Sequence, residues 1–112
     1  MKIAIIGSRT LRVSNLEDYV PKEVSEIVSG GAKGIDSDAR AYALRHHVTL
    51  TEFVPDYARY GRGAPLVRNH QSAEYANAAI AFWDGCSKGT LHIVRLFEKQ
   101  GKHVTIVLLM RK

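Results

Sequence analysis

EVSEIVSGGAKGIDSDARAYALRH, Glu23–His46, is the stretch that decides the fold. Its first part alternates Val24, Glu26 and Val28, with Ile27 added, as a β-branched strand does. Three glycines then fall close together: Gly30, Gly31 and Gly34. Inside a helix a glycine costs about 1 kcal/mol relative to alanine, so such a cluster marks a sharp bend or a close approach of backbone to something. From Gly34 the apolar period changes. Ile35, Ala39, Tyr42 and Ala43 stand at i, i+4, i+7 and i+8, one face of a helix reaching about His46. Strand, glycine turn and helix make the unit from which parallel sheets are built.

The same alternation continues in both directions. Upstream, KIAII (Lys2–Ile6) is a short apolar run closed by Gly7 and reads as a buried strand. Ser14 stands three residues before Glu17, a capping box for a short helix that Pro21 ends. Downstream, VTLTEFV (Val48–Val54) is a third strand and PDYARYGRGAP (Pro55–Pro65) an irregular loop. A helix opens near Pro65, a residue favoured in the first turn, and runs to about Asn77. AAIAFWD (Ala78–Asp84) is a fourth strand, followed by the loop GCSKGT. Ile93, Leu96 and Phe97 mark the last helix, Gly101 stops it, and HVTIVLL is the fifth strand. No repeat or linker interrupts residues 1–112, which read as one domain. Five strands alternating with helices predict an α/β fold: a Rossmann-like three-layer sandwich around a five-stranded parallel sheet of order 3-2-1-4-5.

Bulk properties narrow the function. The 112 residues are 46% hydrophobic and 24% charged, which excludes a disordered chain. No apolar run approaches the roughly 20 residues of a membrane span, so no membrane partner is expected. MKIAIIG is too short for a signal-peptide core. Cys86 is the single cysteine; it excludes an intramolecular disulfide framework and points to a cytoplasmic location. The net charge of +5 suits nucleic acid or a phosphorylated small molecule. The basic residues are scattered rather than massed, which disfavours nucleic acid. The five histidines show no metal-binding spacing, and no metal is predicted. A homo-oligomer is expected.

In such sheets ligands bind beyond the carboxyl ends of the strands, where the winding reverses. In the order 3-2-1-4-5 that point lies between the first and fourth strands. Three segments meet there: Gly7-Ser8-Arg9, SGGAKGID (Ser29–Asp36) and DGCSKGT (Asp84–Thr90). Two of them are glycine-bearing turns that open helices, whose unpaired N–H groups and macrodipole attract phosphate. Lys33, Lys88 and Arg9 add positive charge. Neither turn is a Walker motif, and the dinucleotide fingerprint is missing. Asp36 can bind a ribose or act as a base, or simply stabilise the start of its helix by about 0.3–1 kcal/mol. Asp84, at the end of a strand beside the switch point, reads as a ligand residue. Trp83 reads as core, Tyr57 and Tyr60 as tyrosines packing their loop on the domain, and Cys86 as a small loop residue.

GSR after the first strand, SGGAKGID, Arg68-Asn69, and IAFWDGCSKGT occur in that order over nearly the whole chain. With these motifs the sequence resembles the YspA-like small proteins of the SLOG superfamily. That superfamily also holds the DprA/Smf DNA-processing domain and the LOG cytokinin-activating phosphoribohydrolases. The resemblance implies a Rossmann-like fold and a nucleotide or nucleotide-derived ligand. It implies a first loop of Gly30, Gly31 and Gly34, and a phosphate-contacting second loop of Gly85, Ser87, Gly89 and Thr90. It also raises Arg68 and Asn69 to site residues, Arg68 as a bidentate partner for phosphate. One departure matters. The LOG enzymes follow the GT with an acidic pair, one member of which is catalytic, whereas here Thr90 is followed by Leu91, His92 and Ile93. The expected function is therefore binding of a nucleotide or an ADP-ribose-like ligand, as a sensor or carrier module with no required cofactor. The enzyme alternative is a nucleoside 5′-monophosphate phosphoribohydrolase, an N-glycosidic hydrolase in which Asp36 or Asp84 replaces the missing glutamate. A further alternative is DprA-like binding of single-stranded nucleic acid.

Overall fold

In the computed structural model, which describes residues 1–109, the apolar run at the start of the chain becomes the central strand. β1 (Lys2–Gly7) buries its four middle residues on both faces, as a strand inside a parallel sheet must. It pairs on one side with β2 (Glu26–Ser29) and on the other with β4 (Ala78–Trp83). β2 then pairs with β3 (Thr49–Glu52), and β4 with β5 (Val104–Leu108). All pairings are parallel and the order is 3-2-1-4-5. The chain has the expected Rossmann-like sheet.

Side chains alternate between the two faces of a sheet, and here the faces differ in bulk. One carries Ile3, Ile5, Ile27, Ile80 and Phe82, covered by α1 (Ile35–Arg45) and by Leu11, Val13, Leu16 and Val20 of the connection after β1. The other carries the smaller Ala4, Val28, Ala79 and Ala81. Against it lie Ala73 of α3 (Ala64–Tyr75) and Ile93, Val94 and Phe97 of α4 (Lys88–Lys99). Phe97 is fully buried there; truncation to alanine would cost about 3–5 kcal/mol.

Three local expectations change. Ser14 caps no helix: Asn15 holds that position without a side-chain cap, and only a 3-10 turn, Leu16–Asp18, follows. With Pro21 so near, the connection instead covers the sheet with irregularly placed apolar residues. Glu17 of this turn receives hydrogen bonds from Arg45 Nη2 at 2.8 Å and from His46 Nε2 at 2.9 Å, both at the end of α1. Those two partners, His46 first, hold its carboxyl down at about 2. The second strand starts at Glu26 rather than Glu23, because Val24 N–H turns back to the Pro21 carbonyl. The segment after β3 is ordered rather than irregular. Its short helix α2 (Tyr57–Tyr60) is capped by the Asp56 side chain, and a 3-10 turn, Gly61–Gly63, leads into α3. No helix among the described residues is long and apolar enough to cross a membrane.

Candidate functional site

A cleft of about 630 Å³ opens at the carboxyl ends of β1, β2 and β4. Its size falls within the range of small-molecule sites. Five segments wall it: the turn after β1 (Gly7 to Thr10), the turn after β2 (Ser29 to Ala32), the chain after β3 (Val54, Pro55 and Tyr57), the first half of α3, and the start of α4. It lies where the order of the strands reverses.

The glycines of the turn after β2 have separate reasons. A Cβ on Gly30 would strike the Arg68 guanidinium. Gly31 sits at φ 71°, and a Cβ there would lie 2.9 Å from Val54 Cγ2. Gly34, at φ 70°, is not among the lining residues; its Cβ would come within 2.5 Å of the Arg9 carbonyl oxygen. All three therefore serve close approach of chain to chain, and Gly30 and Gly31 also line the cleft. Gly89 is different. A Cβ added there would meet nothing within 4 Å, and the residue opens onto the cleft at the start of α4.

The two helix starts are electrostatically unlike. That of α1 carries Asp36 and Asp38 in its first turn. Asp38 accepts from the Val13 N–H at 2.7 Å and pairs with Arg12 at 2.8 Å. Asp36 is buried and accepts from the Ala32 N–H at 3.0 Å, so it binds its own loop together. Burial pushes its carboxyl pKa upward, and the Ala32 N–H and the charge of Arg68 oppose this in part. The start of α4 carries no acidic residue. Ser87 caps it by accepting from the Thr90 N–H at 3.3 Å. The nearest carboxylate in the chain, Asp84, stands ahead of the cap and accepts from the Ser87 N–H, so the first turn itself keeps the positive end of its dipole toward the cleft.

Arg68 reaches the cleft from α3. Its Nε donates to Asn69 Oδ1 at 3.0 Å and its Nη1 to the Gly30 carbonyl at 3.2 Å. Nη2 makes no hydrogen bond to the described residues, which leaves one edge of the guanidinium for a ligand. Asn69, itself buried, meets His92 of α4 through Nδ2 and Nδ1 at 3.0 Å.

Of the residues singled out in the sequence, Gly7, Ser8, Arg9, Gly30, Gly31, Asp36, Arg68, Asn69, Ser87, Gly89 and Thr90 line this one cleft. Lys33, Gly34, Asp84, Gly85 and Lys88 are not among its lining residues. Asp84 shapes the second loop: its Oδ1 accepts from the Cys86 and Ser87 N–H groups, both at 2.8 Å. Trp83 is not in the core. It is half-buried and its indole Nε1 donates to the Ser87 carbonyl at 3.0 Å, steadying the same loop. Tyr57 and Tyr60 do not pack down either; Tyr57 is 61% exposed.

The sequence reading missed an apolar rim formed by Val54, Pro55, Tyr57 and Leu66. The rule that found the other turns also applies after β3, and would have placed Val54 and Pro55 at the crevice. It named His92 only as standing after the GT, where the LOG enzymes have their acidic pair, and missed its contact with Asn69. Among the described residues no group of three or more histidine, cysteine or acidic side chains is placed to hold a metal ion.

No family model matches the chain, and searches of curated proteins and of solved structures return no match either.

Proposed function

We propose that this cleft binds a nucleotide or a nucleotide-derived phosphorylated small molecule, in a sensor or carrier role. One observation carries the reading: the guanidinium edge of Arg68 that has no hydrogen-bond partner among the described residues, and the start of α4, whose first turn carries no acidic residue, line the same cleft at the switch point. A guanidinium and a helix N-terminus are both groups that hold phosphate. The apolar rim of Val54, Tyr57 and Leu66 suits a base or another flat apolar moiety beside that anion. The resemblance to the YspA-like proteins of the SLOG superfamily supports the same ligand class.

Binding without efficient turnover fits the carboxylates. Breaking an N-glycosidic bond is helped by a placed carboxylate and a proton donor. Asp36 is buried against the Ala32 N–H, and Asp84, which is not among the lining residues, accepts two N–H bonds of its own loop. The basic residues support a small ligand over nucleic acid, because Arg12, Arg40 and Arg45 are committed to ion pairs made along α1, which leaves less free positive charge for a polyanion.

A thermal-shift screen tests the reading. Nucleoside monophosphates and ADP-ribose should stabilise the fold while the bare nucleosides do not. At a hundredfold excess over Kd, linkage gives about 2.7 kcal/mol, readily seen as a rise in Tm. A screen in which no phosphorylated compound moves Tm would overturn it.

A further inference from the structure

We propose that His92 is a positioning residue for Arg68: acting through Asn69, its neutral imidazole holds the guanidinium at the cleft, and protonation releases it. This rests on the anion-binding reading of the cleft for its consequence, but its geometry stands apart from any ligand.

Each link in the chain forces the next. Arg68 Nε can only donate, so Asn69 must turn its carbonyl oxygen toward it, at 3.0 Å. The amide nitrogen of Asn69 then faces His92 Nδ1, also at 3.0 Å. That nitrogen can only donate, so Nδ1 must be the bare acceptor and the ring proton must sit on Nε2. A doubly protonated ring would set an N–H against the amide N–H. Flipping Asn69 does not help, since its nitrogen would then face the Arg68 N–H. No orientation of Asn69 satisfies Arg68 and a charged His92 together. Asn69 is 5% exposed, so water is poorly placed to mend the mismatch.

The surroundings keep His92 neutral under ordinary conditions. Burial, and then the neighbouring His70 of α3, hold its pKa below the ordinary histidine value. The two rings meet edge to face at 5.8 Å between centroids. Beyond Asn69 in the chain of contacts, the charged groups on the α3 side are Arg68 and, facing Arg68 from the start of α1, Asp36. Lowered in the fold, the histidine favours the native arrangement above its unfolded pKa and loses that contribution as pH falls through the folded value.

His92→Asn separates the roles, because an asparagine Oδ1 supplies an acceptor near the Nδ1 position that does not take up a proton in this range. His92→Leu removes the acceptor. The probe is sulfate, a tetrahedral dianion of constant charge, followed by NMR on the full chain from about pH 7.5 to about pH 5, where histidine titrates. Nitrogen-15 spectra should show His92 with a bare Nδ1 at the upper pH, and the Arg68 Nε–H signal should move with the His92 titration. Over this range sulfate affinity should fall about tenfold more in the wild type than in His92→Asn, a comparison in which any contribution of Asp36, which faces Arg68 in the same cleft, is common to both proteins. His92→Leu should bind about tenfold more weakly even at the upper pH. A protonated Nδ1, an Arg68 signal indifferent to His92, or an equal pH dependence in wild type and His92→Asn would overturn the inference. Failure of sulfate to bind any variant would instead count against the anion-binding reading, and the Arg68 and His92 signals would still decide this one.

Discussion

Gly30→Ala is the substitution whose consequences the geometry defines most closely. Gly30 does not have a positive φ, so alanine can adopt its backbone, but the methyl group would occupy the place of the Arg68 guanidinium. A flexible side chain yields before backbone does. Arg68 should swing away and lose its 3.2 Å bond to the Gly30 carbonyl. A hydrogen bond from a charged donor contributes about 1.5–3 kcal/mol, toward the lower figure for a half-buried arginine. Replacing glycine returns about 0.4–1 kcal/mol by restricting the unfolded chain. The net loss should be about 1 kcal/mol, or a fall in Tm of about 4–6 °C. In an Arg68→Ala background the obstruction is gone, and the nearest remaining atom is Asp36 Oδ2 at 3.0 Å. There the gain from replacing glycine should offset the adjustment of a few tenths of an ångström that Asp36 Oδ2 must make, and the same methyl should cost close to nothing. Denaturant unfolding of the four proteins gives the coupling directly, expected at about 1 kcal/mol. Equal destabilisation in both backgrounds would refute the assignment of Gly30 as the seat of Arg68.

Three other outcomes are expected. Gly89→Val should leave stability within about 1 kcal/mol, since nothing crowds the position, yet abolish nucleotide binding by calorimetry because the side chain fills the cleft at the start of α4. Asp36→Ala should lower stability by about 1–3 kcal/mol by stranding the Ala32 N–H, whereas Asp36→Asn keeps an acceptor for that N–H and removes the buried charge whose desolvation raises the pKa, so it should cost less than alanine. For Glu17, whose pKa falls from an ordinary 4.5 to about 2, the pairing with His46 and Arg45 stabilises the fold above the upper value and is lost as pH falls toward the lower; Glu17→Gln should flatten the acid limb of a pH–stability profile over that window.

The sheet was legible because its central strands β1 and β4 are apolar on both faces and its helices are not. The edge strand β3, TLTE, showed itself by β-branched residues instead, and the change of period at Gly34 carries topology with it. Cleft residues were legible for the same reason: once the order 3-2-1-4-5 is known, the turns after β1, β2 and β4 must converge. What the sequence hid was the purpose of individual residues. Three clustered glycines look alike in a string, yet Gly30 makes room for Arg68, Gly31 for Val54, and Gly34 for the backbone at Arg9. The capping box at Ser14 and Glu17 was a local pattern overridden by tertiary pairing, since Glu17 bonds to the end of α1 instead. His92 was invisible because its role depends on Asn69, twenty-three residues away in the chain and on another helix.

The most direct test of the cleft is a nitrogen-15 amide spectrum recorded with a nucleoside monophosphate and, separately, with the same nucleoside lacking its phosphate. The monophosphate should shift the amides of Ser8, Gly30, Gly31, Gly89 and Thr90 together as a saturable set, and the nucleoside should leave Gly89 and Thr90 unmoved. Amide shifts confined to other parts of the surface, or identical shifts with and without the phosphate, would contradict a phosphate site between β1 and β4.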